Sequence, residues 1–488
     1  MNERRMMSER GMTRKPSRKF PRLEHPAPSS DPGLDPMVPM LAVAAVVGVI
    51  GCLVVEAFRW TMWKIVHYYS QQGGHLVAAA TALPLWARVA ASAIAGTLCG
   101  LGMWAGHRWI KRPRGPEYME AVQVGDGILP LGPNLVRNGS SLIGVSGGIT
   151  IGREGTMIQL AALASSIIGR FFRADESHRR LIVACGAAAG FAAAYRAPIA
   201  GTLFVAEIIL GGLALREISA VLVAAVISLL TVHAMGATGP LYIAQVVPQV
   251  GFNDLADVAL VGVAAGLFGP LFLWVLHTSN KHYQSLFTFL PARMGLAGLA
   301  IGLLSLVRPE VWGNGVSVLQ SFLSTNWALS AVLAVFALRL VAVTCSSAAG
   351  IPGGALTPTL VTGAALGLVI GHTMLTPWAD HSQTLWILVG AASLLAATTH
   401  APAMSAIMIF EMTHNYHVLL ATLPACVIAS VIGSLLRHQS IYTEALGLEE
   451  HGPAASAAAR RTIWPQALPF HLRTSSISAN IAEDKRAA

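Results

Sequence analysis

Two ionised side chains stand together where little else is charged. Arg153 and Glu154 lie in "SSLIGVSGGITIGREGTMIQLAALASSIIG", a stretch otherwise made of apolar, small and uncharged polar residues. Gly152 and Gly155 flank the pair, and "EGTMIQLAALASSIIG" has the composition of a helix, so a helix is expected to start near Glu154. The first amides of a helix have no intrahelical acceptor and sit at the positive end of its dipole. A helix start lined by glycine is therefore a ready anion site. The arrangement recurs in "SSAAGIPGGALTPTLVTGAALG", glycine-rich as far as Gly354. A helix should follow there too, with the amides of Ala355 and Leu356 aimed at the same centre.

A glutamate in that setting has a definite chemistry. Its carboxylate is itself an anion and can occupy a place built for anions; once protonated it is neutral and leaves. Glu154 is thus a candidate gate, sensitive to protons, voltage and competing anions. The plainer alternative is a buried Arg153–Glu154 pair that only ties helices together. Adjacent residues within a helix do not face each other, which makes such a pair geometrically poor.

The elements that hold these residues are membrane helices. Of 488 residues, 54% are hydrophobic and only 12% charged, against about 25% charged in soluble domains. Residues 37–55, 258–276, 311–338, 340–379 and 418–436 carry no Lys, Arg, Asp or Glu, and about 20 apolar residues cross a bilayer. These runs exclude a large soluble helical core and predict an all-α polytopic membrane protein. Spans are expected near 37–58, 86–106, 181–195, 197–213, 218–236, 257–277, 292–307, 327–345, 385–398, 402–413 and 417–436. The net charge of +9 is uneven: residues 1–25 hold eight Lys and Arg against three Glu. We read 1–36 as a basic, disordered cytoplasmic tail rather than a nucleic-acid arm. The first apolar run is long enough to stay in the membrane, so no cleavable leader is expected. The tail after residue 447 is expected to be disordered. Five cysteines (52, 99, 185, 345, 426) lie singly in apolar segments and read as small hydrophobes, not metal ligands or disulfides.

The chain repeats itself. "GAAAGFAAAYRAPIAGTLFVAE" (Gly186–Glu207) and "GAASLLAATTHAPAMSAIMIFE" (Gly390–Glu411) share Gly-Ala-Ala, an Ala-rich run, Ala-Pro and a closing Glu, 204 residues apart. Upstream, "GREGTMIQLAALASSIIG" parallels "GALTPTLVTGAALGLVIG". Two units of about 200 residues follow, roughly 37–236 and 257–447. Segments 130–215 and 340–415 are broken by Gly, Pro and Ser, which predicts short, tilted or partial helices. Internal duplication with broken helices is a channel and transporter trait, with sites at the interface of the units.

Taken together, "GREGT", "GIPGGALTPTL", "WGNG", "LLAATTHAP" and the late tyrosine of "HQSIYTEAL" resemble the CLC chloride channel/transporter family over about residues 37–447, close to its bacterial ClcB branch. The resemblance implies two inverted repeats of broken, tilted helices. It implies a homodimer in the cell inner membrane with cytoplasmic termini, an anion pore in each subunit, and chloride as the substrate without a cofactor. By the same resemblance, Glu154 matches the gating glutamate, and Gly152, Arg153 and Gly155 the rest of that motif. Ala355 and Leu356 match the positions whose amides bind the central anion, and Tyr442 the tyrosine whose hydroxyl also donates to it. Read without the family, Tyr442 is an ordinary interfacial aromatic.

Two departures from the family pattern bear on function. The serine whose hydroxyl binds the central anion is matched by Pro113, in "RPRGPE", between Arg112 and Arg114. Proline at that position is seen in relatives that favour nitrate, which opens a nitrate-preferring alternative to chloride. Proton-coupled members carry a second, intracellular glutamate where this chain has Ile208, and an isoleucine cannot relay a proton. A passive, Glu154-gated channel is therefore favoured over a chloride/proton antiporter. Neighbouring Glu207 could relay instead, but its repeat mate Glu411 speaks for a structural role in both. A sodium-coupled solute transporter would want more acidic ligands in the apolar core, and an intramembrane hydrolase built on His400 and Ser405 lacks an oxyanion arrangement.

Overall fold

Two Ala-Pro pairs set the architecture. Ala197-Pro198 and Ala401-Pro402 each place proline at the first position of a short helix, where its missing N–H is no loss. Each pair follows a residue in the left-handed region, Arg196 (φ 56°) and His400 (φ 58°), which ends the preceding helix. The same helix, reversal and short helix are thus built twice from "YRAP" and "THAP".

The computed structural model describes residues 37–445, apart from 73–74, 111–116, 211–214, 245–250, 252–253 and 376–382. The first half holds α1 (Met37–Ser70), α2 (Leu76–Ala82), α3 (Leu85–Trp109), α4 (Tyr118–Gln123), α5 (Leu131–Ser146), α6 (Glu154–Phe171), α7 (Glu176–Tyr195), α8 (Pro198–Phe204) and α9 (Leu215–Ala234). The second holds α10 (Leu255–Leu286), α11 (Leu290–Val307), α12 (Val316–Ser324), α13 (Leu329–Ala348), α14 (Leu356–Ile370), α15 (Gln383–Thr399), α16 (Pro402–Thr413), α17 (Tyr416–Leu436) and α18 (Ile441–Ala445). The order from α3 to α9 recurs from α11 to α17, each time long, short, then five more, and α1 has its mate in α10. Among the described residues there is no strand, only one isolated antiparallel bridge between Gly152 and Gly354. The chain is an all-α polytopic membrane protein, with eight described helices long and apolar enough to cross a bilayer.

Several expected boundaries shift. α1 reaches Ser70 rather than 58, and α10 reaches Leu286 rather than 277. Polar residues do not stop a helix at a membrane edge: Lys64 lies 5.4 and 5.1 Å from the rings of Trp60 and Trp63, a snorkelling arrangement. With 34 residues, α1 is about 51 Å long against a hydrocarbon core of about 30 Å, so it tilts or projects. α14 begins at Leu356, just after Gly354 as expected, and is also long and apolar enough to be a span, which the expected set omits; Pro358 sits in its first turn and does not break it. α7 from Ile182 and α15 from Thr384 are buried all round. Small residues make that possible: a Cβ on Gly390 would lie 2.4 Å from the Gly363 carbonyl of α14, so only glycine allows the α14–α15 approach. Both expected tails, 1–36 and 448–488, lie outside the described residues.

Candidate functional site

Glu154 is the first residue of α6, and Leu356 the first of α14, with Arg153 and Ala355 as their caps. Both starts follow turns that carry glycine where the two backbones meet. The turns are joined backbone to backbone: Gly152 N donates to Gly354 O (2.8 Å) and Gly354 N donates to Gly152 O (2.7 Å). A Cβ on Gly155 would meet Gly354 Cα at 2.8 Å, closer than such contacts allow. The glycines therefore bring the positive ends of helices from the two repeats within one hydrogen-bonded pair of each other.

Two of the cavities that border this junction matter for Glu154, named outer and inner after the membrane orientation that the resemblance implies. The outer space, about 300 Å³, is lined by Glu154 together with Arg59, Arg153, Arg196, His75 and Asn314. The inner space, about 510 Å³, is lined by Gly155, Thr156, Ala355, Leu356 and Tyr442, among others. Consecutive residues Glu154 and Gly155 thus face opposite cavities. Three arginines bias the outer space towards anions.

The Glu154 carboxylate is buried, with 3% of its surface exposed. Its Oε1 accepts from Asn314 Nδ2 at 2.5 Å and lies 3.4 Å from Arg153 Nε. Its Oε2 has no protein partner. The carboxylate is therefore held by Asn314 rather than by the helix-end amides. Arg153 does reach Glu154, against the geometric expectation, because it is the cap and lies outside the helix proper. At 3.4 Å, with Nε left without a hydrogen bond, the pair is a loose one.

The other named positions assemble around the inner space. Gly152 and Gly155 form the junction, and Ala355, Leu356 and Tyr442 line the cavity beneath it. The Tyr442 ring packs edge-on against Phe204, 5.7 Å between centroids. α18, which carries it, is tied down at Glu444, whose Oε2 accepts from Arg437 (2.7 Å) and whose Oε1 pairs with His277. The Glu117–Arg137 ion pair (2.5 Å) also lines this space. Pro113 lies outside the described residues.

Glu207 and Glu411 exchange places across the repeats. Glu411 accepts from Ile199 N (3.0 Å) and Ala200 N (2.7 Å), at the start of α8. Glu207 accepts from Met404 N (3.1 Å), in the first turn of α16. Each glutamate caps the short helix of the other repeat. Ser405 is fully buried and donates to the O of Ala401, the cap of its own helix (2.8 Å).

Sequence reasoning missed two residues. Asn314 was visible only as part of "WGNG". Arg339 had a clear signal, being the one Lys, Arg, Asp or Glu between 311 and 379. It is 2% exposed and donates to Glu310 O (2.7 Å) and Gly313 O (3.3 Å), holding the loop that carries Asn314.

The sequence profile of the voltage gated chloride channel family matches residues 101–434. The chain belongs to that family, the CLC proteins. It is 43% identical over 410 residues to the voltage-gated ClC-type chloride channel ClcB of Salmonella typhi, covering 83% of this chain and 98% of that one. It is 41% identical over 415 residues to the putative chloride channel protein ClcB-like of Ralstonia nicotianae, covering 83% and 96%. These relatives place it in the ClcB-like branch of bacterial CLC proteins. Among solved structures it is similar to a slow cyanobacterial Cl⁻/H⁺ antiporter (TM-score 0.75, 23% identity, 85% of this chain and 98% of that one). It is also similar to a CLC-type fluoride/proton antiporter (TM-score 0.69, 21% identity, 83% and 97%). At those identities the likeness is one of fold, and the fold is the CLC arrangement of two inverted repeats of broken and tilted helices.

Proposed function

We propose that this CLC protein is a chloride channel of the cell inner membrane, with a pore in each subunit and Glu154 as a gate answering to voltage and protons. One observation carries the reading: the Gly152–Gly354 bridge brings the starts of α6 and α14 together, with Glu154 on the outer side and Ala355, Leu356 and Tyr442 on the inner side. An anion entering the arginine-lined outer space meets the ionised glutamate first, then unpaired helix-end amides. The names of the ClcB relatives support chloride as the anion, and Ile208 supports a channel. We take the working unit to be a homodimer with cytoplasmic termini, needing no cofactor.

A second reading is a chloride/proton antiporter. Glu117 and Glu444 line the inner cavity, so protonatable groups do stand on that side although Ile208 is not one. Pro113 keeps a nitrate preference as the alternative in selectivity. Bromide soaked into crystals tests the anion site directly. We expect anomalous density beside the amides of Ala355 and Leu356, displaced when nitrate competes; density only at surface arginines would contradict the site.

A further inference from the structure

The geometry points to Asn314 as a latch that holds ionised Glu154 on the outer side of the pore and so sets how often the path is clear. This rests on Glu154 being the gate, as proposed above.

Asn314 is unusually well fixed for a loop residue. It stands between Gly313 (φ 75°) and Gly315 (φ 97°), both in the left-handed region that glycine adopts at little cost. Gly313 N donates to Gly148 O (3.0 Å) and Thr150 Oγ1 donates to Val311 O (2.7 Å), stapling this loop to the turn that leads into Glu154. Trp312 is fully buried beneath that turn: a Cβ on Gly148 would lie 2.4 Å from its ring. Arg339 holds the loop from the other side through the Glu310 and Gly313 carbonyls. Asn314 Oδ1 accepts from Val316 N (3.4 Å), which leaves Nδ2 as the donor facing Glu154. A rigid donor at 2.5 Å from a carboxylate that is 3% exposed is a charge-assisted bond made in low dielectric.

The repeat gives the placement further meaning. Asn314 lies between long α11 and short α12; Pro113 lies between long α3 and short α4, the corresponding stretch of the first repeat. The second repeat's loop supplies a hydrogen-bond donor whose acceptor is the Glu154 carboxylate.

Removing the donor frees Glu154 to swing onto the helix-end amides and block the path. The charged or titratable groups that face Glu154 are Arg59 of α1, His75 before α2, its neighbour Arg153, Tyr195 and Arg196 at the end of α7, and Tyr242. All of them remain in an Asn314 variant. Full-length protein in liposomes, with chloride efflux recorded from external pH 7.5 to 4.5, tests the latch. In Asn314→Ala we expect efflux at pH 7.5 to fall about tenfold or more, the worth of a hydrogen bond to a charged group. It should recover as external pH falls, and the defect should vanish in the Glu154→Ala background. Asn314→Leu, close in volume and without a donor, should show the same loss and the same recovery. Efflux equal to wild type in both variants at every pH overturns the latch. So does an equal loss with and without Glu154, which would mark a merely structural loop. If Glu154→Ala alone leaves efflux and its pH profile unchanged, the gate itself is wrong, which is a different failure.

Discussion

Glu411 offers the sharpest test of how the two repeats hold each other. Its two carboxylate oxygens accept from consecutive amides, Ile199 N and Ala200 N, at 3.0 and 2.7 Å, in a side chain that is 8% exposed. Glu411→Ala leaves both amides without an acceptor at the start of α8. A hydrogen bond to a charged group contributes about 1.5–3 kcal/mol, so the variant should lose about 3–5 kcal/mol. Glu411→Gln keeps one acceptor oxygen and sets an NH₂ against the other amide, so about half of that loss is expected. Glu207 accepts from Met404 N (3.1 Å) and from the backbone of Ala403, so Glu207→Ala should cost about 1.5–3 kcal/mol or more. Thermal unfolding in detergent, followed by tryptophan fluorescence at one fixed scan rate, ranks the variants: wild type above Glu411→Gln, and Glu411→Gln above Glu411→Ala. An unchanged midpoint in Glu411→Ala would refute the cross-repeat cap. A Glu207→Gln variant of unchanged stability that loses proton movement would make Glu207 a relay instead.

Three further outcomes follow from the geometry. Gly155→Ala should push the junction apart, because its Cβ meets the Gly354 backbone at 2.8–3.0 Å; we expect anion efflux to fall at least tenfold while the protein still inserts and purifies. Arg339→Met strips the donors from the Glu310 and Gly313 carbonyls, for a loss of about 1–3 kcal/mol; unlike Asn314→Ala, it should not be corrected by Glu154→Ala. Asp175 caps α7 by accepting from His178 N (3.2 Å). Burial pushes its carboxyl up, but the hydrogen bonds from His178 and Ser177 outweigh that and hold it below the usual carboxylate range. A depressed carboxyl contributes stability above its unfolded pKa of about 3.9 and loses it as pH falls through the lower folded value. Asp175→Ala should therefore cost about 1 kcal/mol at neutral pH, with the difference from wild type closing below about pH 4.

Much of the fold was legible because its causes are local. Charge-free runs marked the long helices, "EGTM" marked the start of α6, and Gly353-Gly354 marked the approach to α14. The pairing of "YRAP" with "THAP" exposed the duplication, since proline and a left-handed residue must recur wherever the same reversal recurs. The candidate site was legible to the extent that it is made of backbone: glycine spacing at 152, 155 and 354 announces a close approach. What stayed hidden is made by side chains far apart in sequence. Asn314 lies 160 residues from Glu154 and Glu411 lies 211 from Ala200, and nothing local to either residue names its partner. Arg339 is the middle case. Its isolation among apolar residues required a buried set of acceptors, but not which loop would provide them.

The gate is tested most directly by loading liposomes with chloride, letting it run down its gradient, and recording external pH alongside, with wild type and Glu154→Ala compared. We predict chloride efflux without uphill proton movement in the wild type, rising on external acidification, and efflux that no longer responds to pH in Glu154→Ala. Proton movement against its gradient, abolished in Glu154→Ala, would make the protein an antiporter; no chloride efflux from either protein would contradict the anion path itself.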